Sequence, residues 1–225
     1  MIHTIADFKK SIALRITKKL ESDGFRYFKT KELFQSSNKE GTNKIFIYPT
    51  ARSNYLSIEI KCFYESNEIK KIFKKVNPDL QNPRLKMGTV GGTLKFIIEK
   101  EFNEVWNFSH STITFDLPNS FDIFLNDFMK LYQEYIVVFF DKCRDSKYIH
   151  SLLNTYDANS VGFGINYENR VLKGLPAAIN SGISLSEFSG LSEKYESALR
   201  NDSLNYLENY LTIKDTLLKQ LKKEN

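Results

Sequence analysis

Cysteine and histidine are both scarce in this chain, and their scarcity removes most thiol and metal chemistry. The two cysteines, Cys62 and Cys143, stand far apart, and neither belongs to a CxxC or a Cys/His cluster with zinc spacing. Both read as reduced, buried side chains. The three histidines, His3, His110 and His150, fall in different parts of the chain with no HExxH or HxH pattern, so none has a paired metal ligand. His110, between Ser109 and Ser111 and upstream of Asp116, reads as a turn histidine. His150, downstream of Asp145, reads as a side chain set against a helix dipole.

Long apolar runs are missing too. The longest, Tyr135 to Phe140 (YIVVFF), is far short of the roughly 20 residues that cross a bilayer, so no membrane span is expected. The opening residues, MIHTIADFKK, carry charge where a secretory signal needs an apolar run, which points to the cytoplasm. Phosphate-cradling patterns are absent as well. The glycines at Gly88, Gly91 and Gly92 lack GxxxxGK[ST], and GxGxxG occurs neither there nor at Gly162-Phe163-Gly164. Those glycines read as bends or close backbone approaches. No internal repeat is visible, and no cofactor is implied.

What the chain does have is an uneven charge. Residues 1–86 hold 18 Lys+Arg against 9 Asp+Glu, whereas residues 87–225 hold 14 against 18. A basic first part joined to a mildly acidic remainder creates a field that attracts an acidic protein, a nucleic acid or another anionic surface. With 41% hydrophobic and 26% charged residues the composition is globular, and 18 Phe and 12 Tyr predict an aromatic core. At 225 residues the chain is long enough for one generous body.

Thr4 and Asp7 form a helix-start pair, and Ile5, Phe8, Ile12, Ile16 and Leu20 recur at helical spacing until Gly24. Period-2 stretches follow over Arg26–Ser36, Lys44–Thr50 and Tyr55–Tyr64; in the last, Leu56, Ile58, Ile60 and Cys62 share one face. A short helix is expected from Ser66 or Asn67 to Asn77-Pro78, with a surface connection, NPDLQNPRLK, after it. Further strands are expected around GTVGGTLKFII, NEVWNFS and STITFDL. Pro118-Asn119-Ser120 starts a long helix striped by Phe121, Phe124, Leu125, Phe128, Leu131, Tyr132, Tyr135 and Phe139. A helix near Ser146–Leu153 and three more near Asn169–Ser181, Ser184–Arg200 and Ser203–Lys223 complete the chain. In the last, Leu204, Leu207, Leu211, Leu218 and Leu221 lie near heptad spacing, interrupted by Lys214.

Strands followed by helices indicate an α+β fold: a curved, meander-like antiparallel sheet of about five to seven strands covered by helices, with a helical C-terminal part. The expected organisation is an α+β domain over 1–160 and a helical subdomain over 161–225 packed on it.

Two constellations carry functional weight. In LSIEIKCF, Glu59 and Lys61 sit on one face of a strand, as in the metal-and-lysine half of PD-(D/E)xK nucleases, where the carboxylate holds a divalent metal and the lysine stabilises charge at the phosphate. The required aspartate is missing from the preceding strand, NKIFIYPT, and a solvated Glu/Lys face is the plainer account. Lys70, Lys71, Lys74 and Lys75, at i, i+1, i+4 and i+5, form the outer face of the short helix, a binding surface for phosphates or for an acidic protein. No helix-turn-helix, zinc finger or RNP-like aromatic pattern stands beside them, which argues against sequence-specific DNA binding. The acids at Glu99, Glu101 and Glu104, and at Asp141 and Asp145 among Lys142, Arg144 and Lys147, read as surface pairing.

The segments DGFRYFK, FIYPT, YLSIEIKCFYES, the Trp106 region followed by ITFDLPNSFDIFLNDF, and RVLKGLPAAINSG occur in an order that resembles a bacterial domain-of-unknown-function family (number 4304). That resemblance implies an immunity-type role, in which the protein binds and neutralises a toxin, and it transfers no catalytic residue. The leading expectation is thus a soluble, cytoplasmic, non-enzymatic binding protein whose partner is a protein. The alternatives are a nuclease using Glu59 and Lys61, and a nonspecific nucleic-acid-binding protein.

Overall fold

Thr4 caps the first helix, α1 (Ile5–Ser11): its hydroxyl accepts the Asp7 amide while the Asp7 carboxylate accepts the Thr4 amide. Phe8, Ile12, Ile16 and Leu20 are all buried although they repeat every four residues, a spacing that drifts around a helix of about 3.6 residues per turn. A wider π-helical turn over Ile12–Ile16 absorbs the drift before α2 (Thr17–Leu20). Gly24, in the left-handed region at φ 76°, ends the rod.

The computed structural model describes residues 1–76, 88–108, 112–157, 161–164, 167–202 and 206–224. It is an α+β structure whose antiparallel sheet follows the order β1 (Arg26–Phe28), β2 (Leu33–Ser37), β3 (Gly41–Ala51), β4 (Tyr55–Ser66) and β5 (Val90–Thr93). A further strand, β6 (Ile113–Asp116), pairs with the start of β4, Tyr55 opposite Asp116 and Ile58 opposite Ile113. The stretch expected as one strand over 26–36 is two: a tight turn at Lys29–Lys31, with Glu32 left-handed at φ 49°, folds β1 back on β2.

Two other expectations are corrected. The residues after Thr93 are not strand: α4 (Leu94–Glu101) follows, capped by the Thr93 hydroxyl and burying Leu94, Ile97 and Ile98 at i, i+3 and i+4. That apolar run has helical and not alternating burial. Nor do the described residues of NEVWNFS form a strand; they run as irregular chain with Trp106 against Phe108. The connection NPDLQNPRLK lies outside the described residues.

The long helix starts at Ser120, whose hydroxyl accepts the Asp122 amide, as α5 (Phe121–Leu131) and continues through a π-helical turn, Tyr132–Ile136, into α6 (Val137–Lys142). The wide turn adds a residue to the stripe, so Ile136 takes the buried position expected of Tyr135. Tyr135 instead packs on Phe102 and donates its hydroxyl hydrogen bond to Glu104. Then follow α7 (Ser146–Asn154), α8 (Tyr167–Asn180), α9 (Leu185–Asp202) and α10 (Leu207–Glu224).

The chain divides into two compact units that do not follow chain order. One comprises 1–38, 42–63 and 92–141; the other comprises 39–41, 64–91 and 142–225. The second unit thus takes α3 (Asn67–Val76) together with the chain from residue 142 onward. In the first unit one sheet face buries Ile45, Ile47, Leu56, Ile58 and Ile60, and Phe8 joins Phe115, Phe121 and Phe124 above it. In the second, Phe73 of α3, Val171, Leu172 and Leu175 of α8, Phe188, Tyr195 and Leu199 of α9, and Tyr210, Ile213, Leu217 and Leu221 of α10 make one core. The buried face of α10 is thus set by Tyr210 and Ile213 beside Leu217 and Leu221, with Leu207, Leu211 and Leu218 at its margin. Lys214 leaves that face and meets Glu196 of α9 at 2.6 Å.

Candidate functional site

The helix α3 buries Ile69 and Phe73 and turns its lysines outward, as an amphipathic helix on a core must. The four lysines are not equivalent. Lys70 reaches Glu65, which is 8% exposed, at 2.9 Å, and Lys71 reaches Glu68 one turn back at 2.6 Å. Lys74 and Lys75 are exposed, and no carboxylate among the described residues pairs with either. Cation density therefore concentrates on the last turn of α3. The helix packs on α8 and α10, and α10 brings exposed Lys219, Lys222 and Lys223 to the same unit.

The pair on β4 has the geometry that alternation predicts. Glu59 and Lys61 share a face and meet at 2.9 Å, and the Lys61 ammonium lies 5.6 Å from the centre of the Tyr48 ring. Burial, with the Glu32 and Glu59 carboxylates nearby, pushes the Tyr48 hydroxyl pKa up. Among the described residues no group of three or more His, Cys, Asp or Glu side chains could hold a metal ion. Cys62 and Cys143 are free and buried, and burial drives the Cys62 thiol far above its ordinary value.

Sequence reasoning missed the polar chemistry around α8. Every side chain from Asn169 to Ala178 is buried, including the charged Arg170 and Lys173. Arg170 donates from Nε to the Leu153 carbonyl at 2.6 Å, from Nη2 to Tyr156 O at 2.6 Å and from Nη1 to Asp157 O. Its guanidinium also lies 5.7 Å from the centre of the Tyr195 ring. It thereby occupies the carbonyl end of α7, where a cation is favoured. Gly164 permits this: a Cβ there would stand 2.2 Å from the Arg170 Cβ. Lys173 Nζ and Asn169 Nδ2 both donate to the Gly88 carbonyl.

Beside this network His150 opens on a cavity of about 250 Å³, lined by Ser151, Asn154, Thr155, Ile183, Glu187 and Leu191. Asn154 Nδ2 donates to Gly174 O at 3.0 Å and to His150 Nδ1 at 2.7 Å, and its Oδ1 accepts from Tyr195 at 2.8 Å. These contacts fix the amide, so His150 accepts at Nδ1 and carries its proton on Nε2. Burial lowers its pKa, opposed by Glu187. His110 lies outside the described residues, and the Gly91 amide donates to the Phe163 carbonyl at 3.0 Å.

Comparison with protein-family models, with curated proteins and with solved structures finds no match to this chain. Among the described residues no helix is long and apolar enough to cross a membrane.

Proposed function

We propose that this protein is a non-enzymatic binding protein of the immunity or antitoxin type, which docks an acidic protein partner on α3. The observation that supports the reading is the exposed pair Lys74 and Lys75, on a helix whose other side is fixed by Ile69 and Phe73. A cation ridge held by a packed core loses little entropy on docking and steers an oppositely charged partner. Lys70 and Lys71 already hold carboxylates and so contribute less free charge. The neutralising role rests on the resemblance in element order to the family numbered 4304.

The nuclease alternative requires a second carboxylate beside Glu59, and Glu59 meets the Lys61 ammonium.

The test is affinity capture of the tagged protein from its host after nuclease treatment, with the wild type beside a Lys74→Glu, Lys75→Glu variant. The expected result is a stoichiometric acidic protein that the variant loses, whose expression alone arrests growth and whose co-expression with the wild type does not. A partner set indifferent to the charge reversal would sink the docking surface. A captured protein without toxicity would sink the immunity role.

A further inference from the structure

The outer face of the sheet in the first unit carries rings where a solvated strand face ordinarily alternates to polar residues. Strand β3 is apolar on both sides: Ile45 and Ile47 are buried, while Phe46 and Tyr48 are half-buried on the opposite face. Their rings lie nearly parallel, 15° apart in plane with centroids at 5.6 Å, and Phe63 of β4 meets Phe46 edge-on at 5.8 Å. The register carries this apolar face, through a buried Leu33, to the sheet edge. Leu33 opposes Phe46, and Phe28, 41% exposed, opposes Leu33.

The chain segment that carries these rings has an excess of positive charge. From Arg26 to Phe63, leaving out 39–41, which belong to the second unit, six Lys+Arg stand against two carboxylates. Both carboxylates are held by lysines, Glu32 by Lys9 at 2.5 Å and Glu59 by Lys61 at 2.9 Å. Arg26 is exposed on the same face as Phe28, and Lys61 stands over the Tyr48 ring.

We propose that this face binds single-stranded nucleic acid, with unpaired bases stacked on Phe46 and Tyr48 and phosphates met by the exposed Arg26 and, in exchange for the Glu59 carboxylate, by Lys61. A half-buried ring still presents part of a π-face, which any unpaired base can use, and flanking cations follow the backbone without reading sequence. A duplex keeps its bases stacked internally and gains only the electrostatic part. This site is separate in the chain from the α3 ridge and rests on different residues.

The test is fluorescence anisotropy of the full chain with a labelled oligothymidylate of about 20 nucleotides and with a duplex of equal length, at about 50 mM salt. The single strand should bind at least about tenfold more tightly than the duplex, and Phe46→Leu and Tyr48→Leu should each weaken it about tenfold. Leucine keeps apolar bulk while removing the ring, and unchanged thermal melting shows that each variant is folded. Equal affinity for the two forms, no binding at this salt, or folded leucine variants that bind like the wild type would overturn the proposal. So would loss of binding in the Lys74→Glu, Lys75→Glu protein with the leucine variants unaffected.

Discussion

Phe8 in the first unit is surrounded by the rings of Phe115, Phe121 and Phe124, at centroid distances of 5.0 to 5.3 Å. Arg170, equally buried in the second, is surrounded by the carbonyls of Leu153, Tyr156 and Asp157. Dispersion and area burial hold the first arrangement and tolerate another apolar shape of similar volume. The second holds by directional hydrogen bonds from a buried cation, and it fails when either partner is removed. The two side chains are thus buried to the same degree and differ in what their surroundings can lose.

The largest effect should come from Arg170→Met, which keeps length and apolar bulk but takes the guanidinium from three carbonyls, leaving Leu153 O to the Tyr195 hydroxyl, Tyr156 O to Lys194 and Asp157 O without its arginine donor. A loss of about 2–4 kcal/mol is expected, from the lost charge-assisted bonds and the under-satisfied carbonyls. Urea unfolding measures it, and a loss below about 1 kcal/mol would show that water can replace the guanidinium. By contrast Phe8→Leu, an apolar exchange in the ring cluster that leaves no polar group unpaired, should cost about 1–2 kcal/mol. If the two variants proved equally destabilised, the distinction between the cores would collapse.

The ring-filled core was legible in the sequence and the hydrogen-bonded one was not. Phe8, Ile12, Ile16 and Leu20, the alternation Leu56, Ile58, Ile60, Cys62, and the lysines opposite Ile69 and Phe73 declare a face, because a helix or strand with one buried side sorts its residues by period. Helix α8 has no such sorting. It is buried without a break from Asn169 to Ala178, so Asn169, Arg170 and Lys173 point into protein where an amphipathic reading sends them to solvent. Their partners, at positions 88, 153, 156 and 157, are brought near only by the fold. The π-helical turns are invisible for a related reason. Local hydrophobic spacing fits an ordinary helix within one turn, and the extra residue shows only where the stripe moves from Tyr135 to Ile136. Phe46 and Tyr48 alternate with Ile45 and Ile47, but a strand apolar on both sides does not say which face is the less buried.

The smallest effect separates the cores by pH. His150 accepts a hydrogen bond from Asn154 at Nδ1, so protonation there removes the bond and places two donors against each other. Its folded pKa lies below the ordinary 6.5 because burial disfavours the charged ring, Glu187 opposing. Between the folded value and 6.5 the unfolded chain binds more protons than the native one. This contribution to stability is therefore present above about pH 6.5 and is lost as pH falls toward and below the folded value. Glu187 itself accepts from the Ser184 hydroxyl and amide, which hold its carboxyl below the usual range, so it stays charged across this window. Urea unfolding of the wild type at about pH 7.5 and pH 5.5 should show a loss on acidification that His150→Gln reduces, since a glutamine oxygen can accept from Asn154 without titrating. The same substitution leaves Phe8 and its rings untouched. A variant that loses as much as the wild type would place the acid sensitivity elsewhere, outside the Tyr195–Asn154–His150 chain.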